Sequence, residues 1–516
     1  MFLGGQRTIV KYMHGNRVTN CIFKVVTVAA ILIVATFCVT KTCKAFDDEV
    51  IFNFIDRKAV SMPKDIVFKD KTITETDESG REINYVLKDK QVKIYIDNEL
   101  IWQSGRRNFV QDMFVDDIDS DVDTRGNARK SMKSKKELVI LLWKEGRYGS
   151  HRPFWVYEDE KDYSQHIFTY NIEGNKVLAK WGTSYMGEEA TSMDFCDGIL
   201  YLTHRNSEGK NGKSAWKWNS FGFEKLEPVK IFVAGDNLIH EPIYVDALNN
   251  HDGDFEYIYK KIEGYTKDAD LSIINLETPL VYDSKLYSTY PCFGSPVAVA
   301  EAIKKAGFDA VTLSTNHRLD KGITGIEDTL KACDENDIMH VGSMDEKPYL
   351  LIKRNNIVFA LLNYTYGTNG IRPKKGYEKA VNYLDDEEKI RSDIKEAKEN
   401  SDFVIVFPHW GTEYKKEPDA YEKKWCKFFY DEGVDVIVGT HPHVYQPVEM
   451  YSEEGNEHEM LVFYSLGNYI SANQRIDHNT GALGFFEVMQ DKEHPYVSSY
   501  NMKEIDTMYK QSKYKN

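Results

Sequence analysis

Between Val229 and residue 490 the chain alternates short hydrophobic runs with amphipathic stretches of helical length. No other feature constrains the fold as much. Strands are predicted at Ile231–Ala234, Leu271–Asn275, Ala310–Ser314, Phe359–Leu362, Phe403–Phe407, Val434–Val438 and Met460–Tyr464. Helices are predicted at Tyr257–Tyr265, Val297–Ala306, Gly325–Asn336, Asp386–Asn400 and Tyr421–Glu432. Such alternation predicts an α/β domain with a central sheet, whose chemistry collects in loops at the carboxyl ends of strands. Those ends carry Asp236, His240, Glu277, Asn316, His317, His409, His441 and His443.

These residue types suit divalent cations. Asp236 offers a hard carboxylate oxygen, Glu277 can bridge two ions, and Asn316 offers an amide oxygen. His409, His441 and His443 offer imidazoles, and an extended His-Pro-His segment can serve two neighbouring ions. His317 can stay outside the metal shell as a proton donor. Two ions roughly 3.5–4 Å apart activate water and neutralise a developing anion. Asn468, in a Gly-Asn turn, can meet an oxyanion, and Glu413 can orient His409 or His441 or simply face solvent. Arg318 and Lys321 are either attractors of an anionic substrate or solvated surface charge.

At 516 residues the chain is too long for one ordinary core. Its net charge of −15 argues against a general nucleic-acid binder, which needs a basic surface. Neither a GxGxxG nor a GxxxxGK[ST] phosphate loop occurs. Cysteines 21, 38, 43, 196, 292, 333 and 426 form no CxxC pair, so the last four read mostly as buried apolar side chains.

The first 46 residues contain no acid. Arg7, Lys11, Arg17 and Lys24 precede the apolar run Val25–Val39, a pattern expected of a cleaved signal peptide or an uncleaved anchor. Thr42-Cys43-Lys44-Ala45 is a poor cleavage site, which favours a single-pass anchor at the cell membrane with the bulk of the chain outside.

Residues 47–228 read as a β-rich module, a small sandwich or part of a propeller. Strand signals fall at Ile66–Phe68, Val92–Ile96, Val139–Trp143, Phe154–Tyr157, His166–Tyr170 and Ile199–Thr203. Within it, Asp117, Asp119, Asp121 and Asp123 alternate as in a calcium loop, or form an acidic solvated turn. Val122 and Ala128 break the EF-hand pattern.

Several segments carry a family resemblance. They are Gly235-Asp236, Asn275-Leu276-Glu277-Thr278-Pro279-Leu280, Ser314–Gly322, His409–Tyr414, Gly439–Gln446 and Tyr464–Tyr469. Together they resemble the CapA/PgsA-type proteins of bacterial poly-γ-glutamate capsule synthesis, a branch of the calcineurin-like metallophosphoesterases. The resemblance covers about Lys230–Glu487. It implies a layered αββα domain at 229–490 with central sheets, followed by a tail at 491–516, and a metal-dependent hydrolase-type site. It places one ion near Asp236, Glu277 and His443, a second near Glu277, Asn316, His409 and His441, and His317 as proton donor. Three residues, Asn237, Leu238 and Ile239, separate Asp236 from His240 where the superfamily has Asp-x-His, and Glu277 stands where it has Asp, so a single ion or low activity is also compatible. Manganese, zinc or iron fits the mixed donors. The implied partners are an anionic polymer or phosphoester substrate and membrane-embedded capsule synthase components; the alternative function is a non-catalytic polymer-binding or assembly factor.

Overall fold

The computed structural model describes residues 66–119, 135–149, 155–205, 211–219, 221–344, 346–472 and 480–506. Residues 71–225 form three four-stranded antiparallel meanders, each with its strands in chain order. The middle meander, from Phe109 to Gly182, is covered on both faces. Along its strand Glu137–Glu145, Leu138, Ile140 and Leu142 pack with Ile83, Leu87 and Ile94 of the first meander. The alternate residues Val139 and Leu141 pack with Met193, Leu200 and Leu202 of the third. Burial on both faces is why this strand reads as an unbroken apolar run rather than an alternation.

Two of the predicted strands are absent. Ile66–Phe68 precedes the first strand, Lys71–Thr76, and residues 155–157 form a loop with Trp155 and Tyr157 exposed. Both are short apolar runs that find no sheet partner; the Lys90 ammonium instead covers the Phe68 ring at 4.3 Å.

The remaining described residues build two large sheets, besides a small parallel pair of Leu280–Val281 with Ser295–Pro296. The first uses β1 (Val229–Asn237), β2 (Leu271–Leu276), β3 (Ala310–Thr312) and β4 (Met339–Val341), all parallel, in the order β4-β3-β2-β1. The second uses β5 (Leu350–Arg354), β6 (Ile357–Thr365), β7 (Phe403–His409), β8 (Val436–Val438), β9 (Val448–Tyr451) and β10 (Met460–Phe463), in the order β5-β6-β7-β8-β10-β9. There β6, β7, β8 and β10 are parallel, with antiparallel strands at both edges. The chain then returns to the first sheet. Short β11 (Asn468–Ile470) pairs with the end of β1, and β12 (Thr480–Met489) and β13 (Tyr496–Asp506) extend the sheet antiparallel beyond β1.

Side-chain alternation sets the layers. On β1, Ile231 and Val233 point into the core between the sheets, where they join Ile273, Phe359, Leu361, Ile405, Phe407 and Phe463. Phe232 and Ala234 point outward onto helices α1 (Glu241–Asn250), α2 (Glu263–Asp268) and α3 (Ala298–Lys305), with α4 (Gly322–Glu335) alongside. The outer face of the second sheet, with Leu362, Val404 and Val406, packs on Ile390 and Ile394 of α5 (Glu387–Asn400) and Trp425 and Phe429 of α6 (Ala420–Asp431). The result is the expected αββα layering. A capping box starts α6: Asp419 accepts from the Tyr421 and Glu422 amides while Glu422 accepts from the Asp419 amide.

Two expectations are corrected, and one helix was not expected. The stretch 491–516 is not simply a tail, because β13 occupies 496–506; its mostly exposed, polar residues conceal the strand signal. Helix α1 was unanticipated, since its apolar face is small. A membrane segment also finds no counterpart: among the described residues no helix is long and apolar enough to cross a membrane. Residues 1–46, where it was expected, lie outside the described residues, and the single-pass membrane placement is not carried forward.

Two glycines allow the strand ends to approach. A Cβ on Gly235 would lie 1.9 Å from the Gly467 carbonyl oxygen, and one on Gly439 would lie 1.9 Å from that of Tyr464. Gly264, in α2, has open space around it. Gly235→Ala is therefore expected to destabilise the fold by about 1–3 kcal/mol. Gly264→Ala should be neutral or stabilising by up to ~1 kcal/mol. Urea unfolding of the two variants checks the contrast, and equal midpoints would contradict it.

Candidate metal centre

The carboxyl ends of parallel strands from both sheets converge on one buried cluster. Asp236 lies at the end of β1, Glu277 directly after β2, Asn316 and His317 in the loop after β3, and His409 at the end of β7. His441 and His443 follow β8, and Asn468 begins β11. All of these residues are buried. Asn363 on β6 ties the sheets together: its Oδ1 accepts from the Leu313 and Ser314 amides at 3.0 and 2.5 Å, and its Nδ2 donates to the Phe407 carbonyl at 2.7 Å. The loop carrying Asn316 is thereby fixed against the strand carrying His409. Thr315 Oγ1 adds a bond to the Glu277 carbonyl at 3.0 Å.

Glu277 is the centre of the arrangement. It is 1% exposed, and neither carboxylate oxygen has a hydrogen-bond partner. His409 Nε2 and His443 Nε2 each stand 3.9 Å from its Oε1. His443 Nδ1 lies 3.2 Å from Asp236 Oδ2 and 3.0 Å from Asn468 Oδ1. Asp236 also accepts from Asn275 Nδ2 at 2.8 Å and from the His441 amide at 3.2 Å. His409 Nδ1 meets Thr440 Oγ1 at 2.9 Å and its Nε2 meets Asn316 Oδ1 at 3.0 Å. Two trios have ligand-capable atoms within 4.8 Å of one another: Asp236, Glu277 and His443; and Glu413, His441 and His443.

Burial controls the charges. It pushes the Glu277 carboxyl well above the usual carboxylate range, and Asp236 beside it adds to the rise. Burial also holds His409 and His441 well below the ordinary imidazole value, with neighbouring imidazoles adding to the effect. For His443 burial acts downward, but Glu277 and the Asp236 hydrogen bond outweigh it and lift the ring to about 9. His409 and His441 thus stay neutral and ready to bind a cation, whereas Glu277 and His443 would each release a proton when one binds. The unsatisfied Glu277 oxygens and the partnerless His441 Nδ1 are aimed where an ion would satisfy them. The residues present therefore fit a divalent metal.

Other expected residues have different surroundings. His240 belongs to neither trio: its Nδ1 meets Thr289 Oγ1 at 3.3 Å, its ring packs edge-on to Phe293, and burial lowers it to about 4. His317 is held by Asp320, with Nδ1 to Oδ2 at 2.7 Å, and by Phe293 perpendicular to its ring. The Asn468 amide oxygen is directed to His443. Arg318 is 2% exposed and bonds to Ser343 Oγ and the Ile326 carbonyl, so it braces the loop rather than facing a substrate. Lys321 reaches the Cys292 carbonyl at 3.3 Å.

Asp320 and Thr440, which orient two of the histidines, were not singled out from sequence. For Asp320 the spacing i, i+3 from His317 was the available signal; Thr440 gave none. Asp119 of the acidic loop pairs with Lys180 at 2.5 Å, whereas Asp121 and Asp123 lie outside the described residues, so no calcium site is assigned. Cys196, Cys292, Cys333 and Cys426 are free thiols, Cys333 and Cys426 being buried.

Comparison with known proteins agrees with this geometry. Residues 230–473 match the family described as bacterial capsule synthesis protein PGA_cap. The capsule biosynthesis protein CapA of Bacillus anthracis is 31% identical over 229 residues, covering 42% of this chain and 54% of that one. The PGA biosynthesis protein CapA of Bacillus subtilis is 28% identical over 235 residues, covering 44% and 60%. The chain thus spans between half and two thirds of these relatives' length. Among solved structures, the calcineurin-like phosphoesterase YfkN of Bacillus subtilis overlays with a TM-score of 0.37 at 15% identity, covering 54% of this chain and 91% of that one. The NAD nucleotidase of Haemophilus influenzae gives 0.36 at 15%, covering 54% and 56%. Overlays of that extent add nothing to what the sheets themselves show. By its matched segment and its strand-end donors, the chain is CapA-like over residues 230–473, the stretch that matches the bacterial capsule synthesis PGA_cap family.

Proposed function

We propose that the CapA-like domain is a metal-dependent hydrolase acting on an anionic substrate, a phosphoester or a γ-glutamyl polymer of the capsule. The observation that carries this reading is the pair of partnerless, fully buried Glu277 oxygens ringed by Asp236, His409 and His443. Asp236, Glu277 and His443 would hold one ion, with Asn316, His409 and His441 as donors on the other side of Glu277. Manganese, zinc or iron, when bound, would supply a Lewis acid and a source of hydroxide near neutral pH.

The chain's own residues supply the rest. Asp320 accepts from His317 Nδ1, so Nε2 is the ring nitrogen left to carry a proton to a leaving group. Phe293 fixes the plane of that ring. Thr440 and Asn468 set the orientations of His409 and His443. The cationic centre gives a chain of net charge −15 a local site for anions. The second reading, a polymer-holding assembly factor working with synthase components, uses the same pocket without turnover; it is favoured by the capsule role in the names of the relatives.

Two measurements bear on the proposal. With manganese, His317→Ala is expected to lower kcat by about 100-fold on an alkyl phosphoester and much less on a p-nitrophenyl ester, whose leaving group needs no proton. Metal content should be unchanged, whereas His409→Ala should lose metal and turnover together. Metal uptake without turnover on phosphoesters or γ-glutamyl polymers would contradict the enzyme and support the assembly role.

The second measurement is stability against pH. His443 is raised to about 9 from 6.5, so its contribution is fully present below pH 6.5 and lost as pH rises through 9. Raising the pH also charges buried Glu277, which acts in the same direction. Metal-free protein should therefore melt at progressively lower temperature between pH 6.5 and 9. Saturating manganese should remove or reverse that slope, because binding requires the deprotonated ligands. Identical slopes with and without metal would contradict the reading.

A further inference from the structure

The second trio of ligand-capable residues, which shares His443 with the first, includes a carboxylate to which neither the sequence motifs nor the resemblance assigns a ligand role. Glu413, His441 and His443 bring their ligand-capable atoms within 4.8 Å of one another. His441 is 2% exposed and its Nδ1 has no partner, an unsatisfied buried donor-acceptor group beside an exposed carboxylate. The contact is built into the backbone. Tyr414 donates its amide to the Pro442 carbonyl at 2.7 Å, which ties the residue after Glu413 to the residue between the two histidines. Tyr414, His441 and His443 all have left-handed backbone, with φ of 64°, 97° and 60°. For non-glycine residues that backbone is strained. The two strained loops are thus locked together at the point where these three side chains meet. His240, another imidazole near the centre, joins neither trio, although its Nδ1 meets Thr289 and its buried Nε2 likewise has no hydrogen-bond partner.

We propose that Glu413 is a direct metal ligand, closing with His441 and His443 a cation position on the solvent side of the centre. It lies next to the position of Asp236, Glu277 and His443 and shares His443 with it. The inference rests on the metal reading above and adds a third carboxylate to the donor set. That addition favours an oxygen-preferring ion such as manganese over zinc. The exposure of Glu413 makes this the position that an incoming anionic group meets first.

The test is manganese binding by the full chain, with metal content measured after equilibrium dialysis and affinity measured by calorimetry. The variants are Glu413→Gln and, as a control on the same exposed loop, Glu417→Gln. Unchanged melting of the metal-free variants verifies folding. Glu413→Gln is expected to lose one bound manganese, with affinity at that position falling more than about 100-fold, beyond what an orienting partner commands. The cobalt-loaded protein should show a changed visible spectrum, and Glu417→Gln should match the parent throughout. If the parent chain binds no metal, the metal reading itself fails. If the parent binds and Glu413→Gln binds the same number within threefold in Kd and with the same cobalt spectrum, the Glu413 assignment alone is overturned.

Discussion

A glutamate with both carboxylate oxygens buried and unpartnered is the interaction on which the structure depends. Moving an ionised carboxylate out of water carries an effective penalty of several kcal/mol unless a counter-charge compensates it. Around Glu277 the protein supplies no fixed cation. It supplies Asp236, a second acid, and imidazoles that burial keeps neutral at His409 and His441. Only His443 gains a proton readily, lifted by the two acids beside it. Among the described residues only imidazoles, and no arginine or lysine, pair with Asp236 and Glu277, so the site is organised around a positive charge brought from outside.

The fold explains how such a site can be held. Two sheets face each other across one apolar core, and the parallel strands of each finish at the same rim. Donors from the first sheet, Asp236, Glu277 and Asn316, therefore meet donors from the second, His409, His441 and His443. The seam is fixed by polar links rather than by side-chain packing alone: Asn363 of the second sheet accepts across it from the Leu313 and Ser314 amides, and Gly235 lets the end of β1 meet the Gly467 carbonyl. The left-handed residues around His-Pro-His store strain that this framework withstands, as binding loops often do.

Much of this was legible in the sequence, for identifiable reasons. The strands β1, β2, β3, β6, β7, β8 and β10 are apolar runs because both faces of their sheets are covered, and helices α3 to α6 carry clear amphipathic patterns. Residues at the ends of those strands could be placed in one pocket for the same reason. What escaped was local or partner-dependent. Edge strand β13 is polar, so only its pairing with β12 reveals it. His240, read as a ligand, packs its ring on Phe293 beside the centre and falls in neither trio, with its buried Nε2 left without a hydrogen-bond partner. Arg318 read as an anion attractor or solvated surface charge, yet it is buried and braces the loop between β3 and α4. Glu413 read as an orienting or exposed acid because its proximity to His441 exists only after two loops have folded together.

Anomalous diffraction from crystals grown with manganese addresses the central claim most directly. The account predicts a peak bounded by Asp236, Glu277 and His443, with a Glu277 oxygen in the coordination sphere. No peak there, with both Glu277 oxygens instead bonded to protein donors or protonated against Asp236, would contradict it.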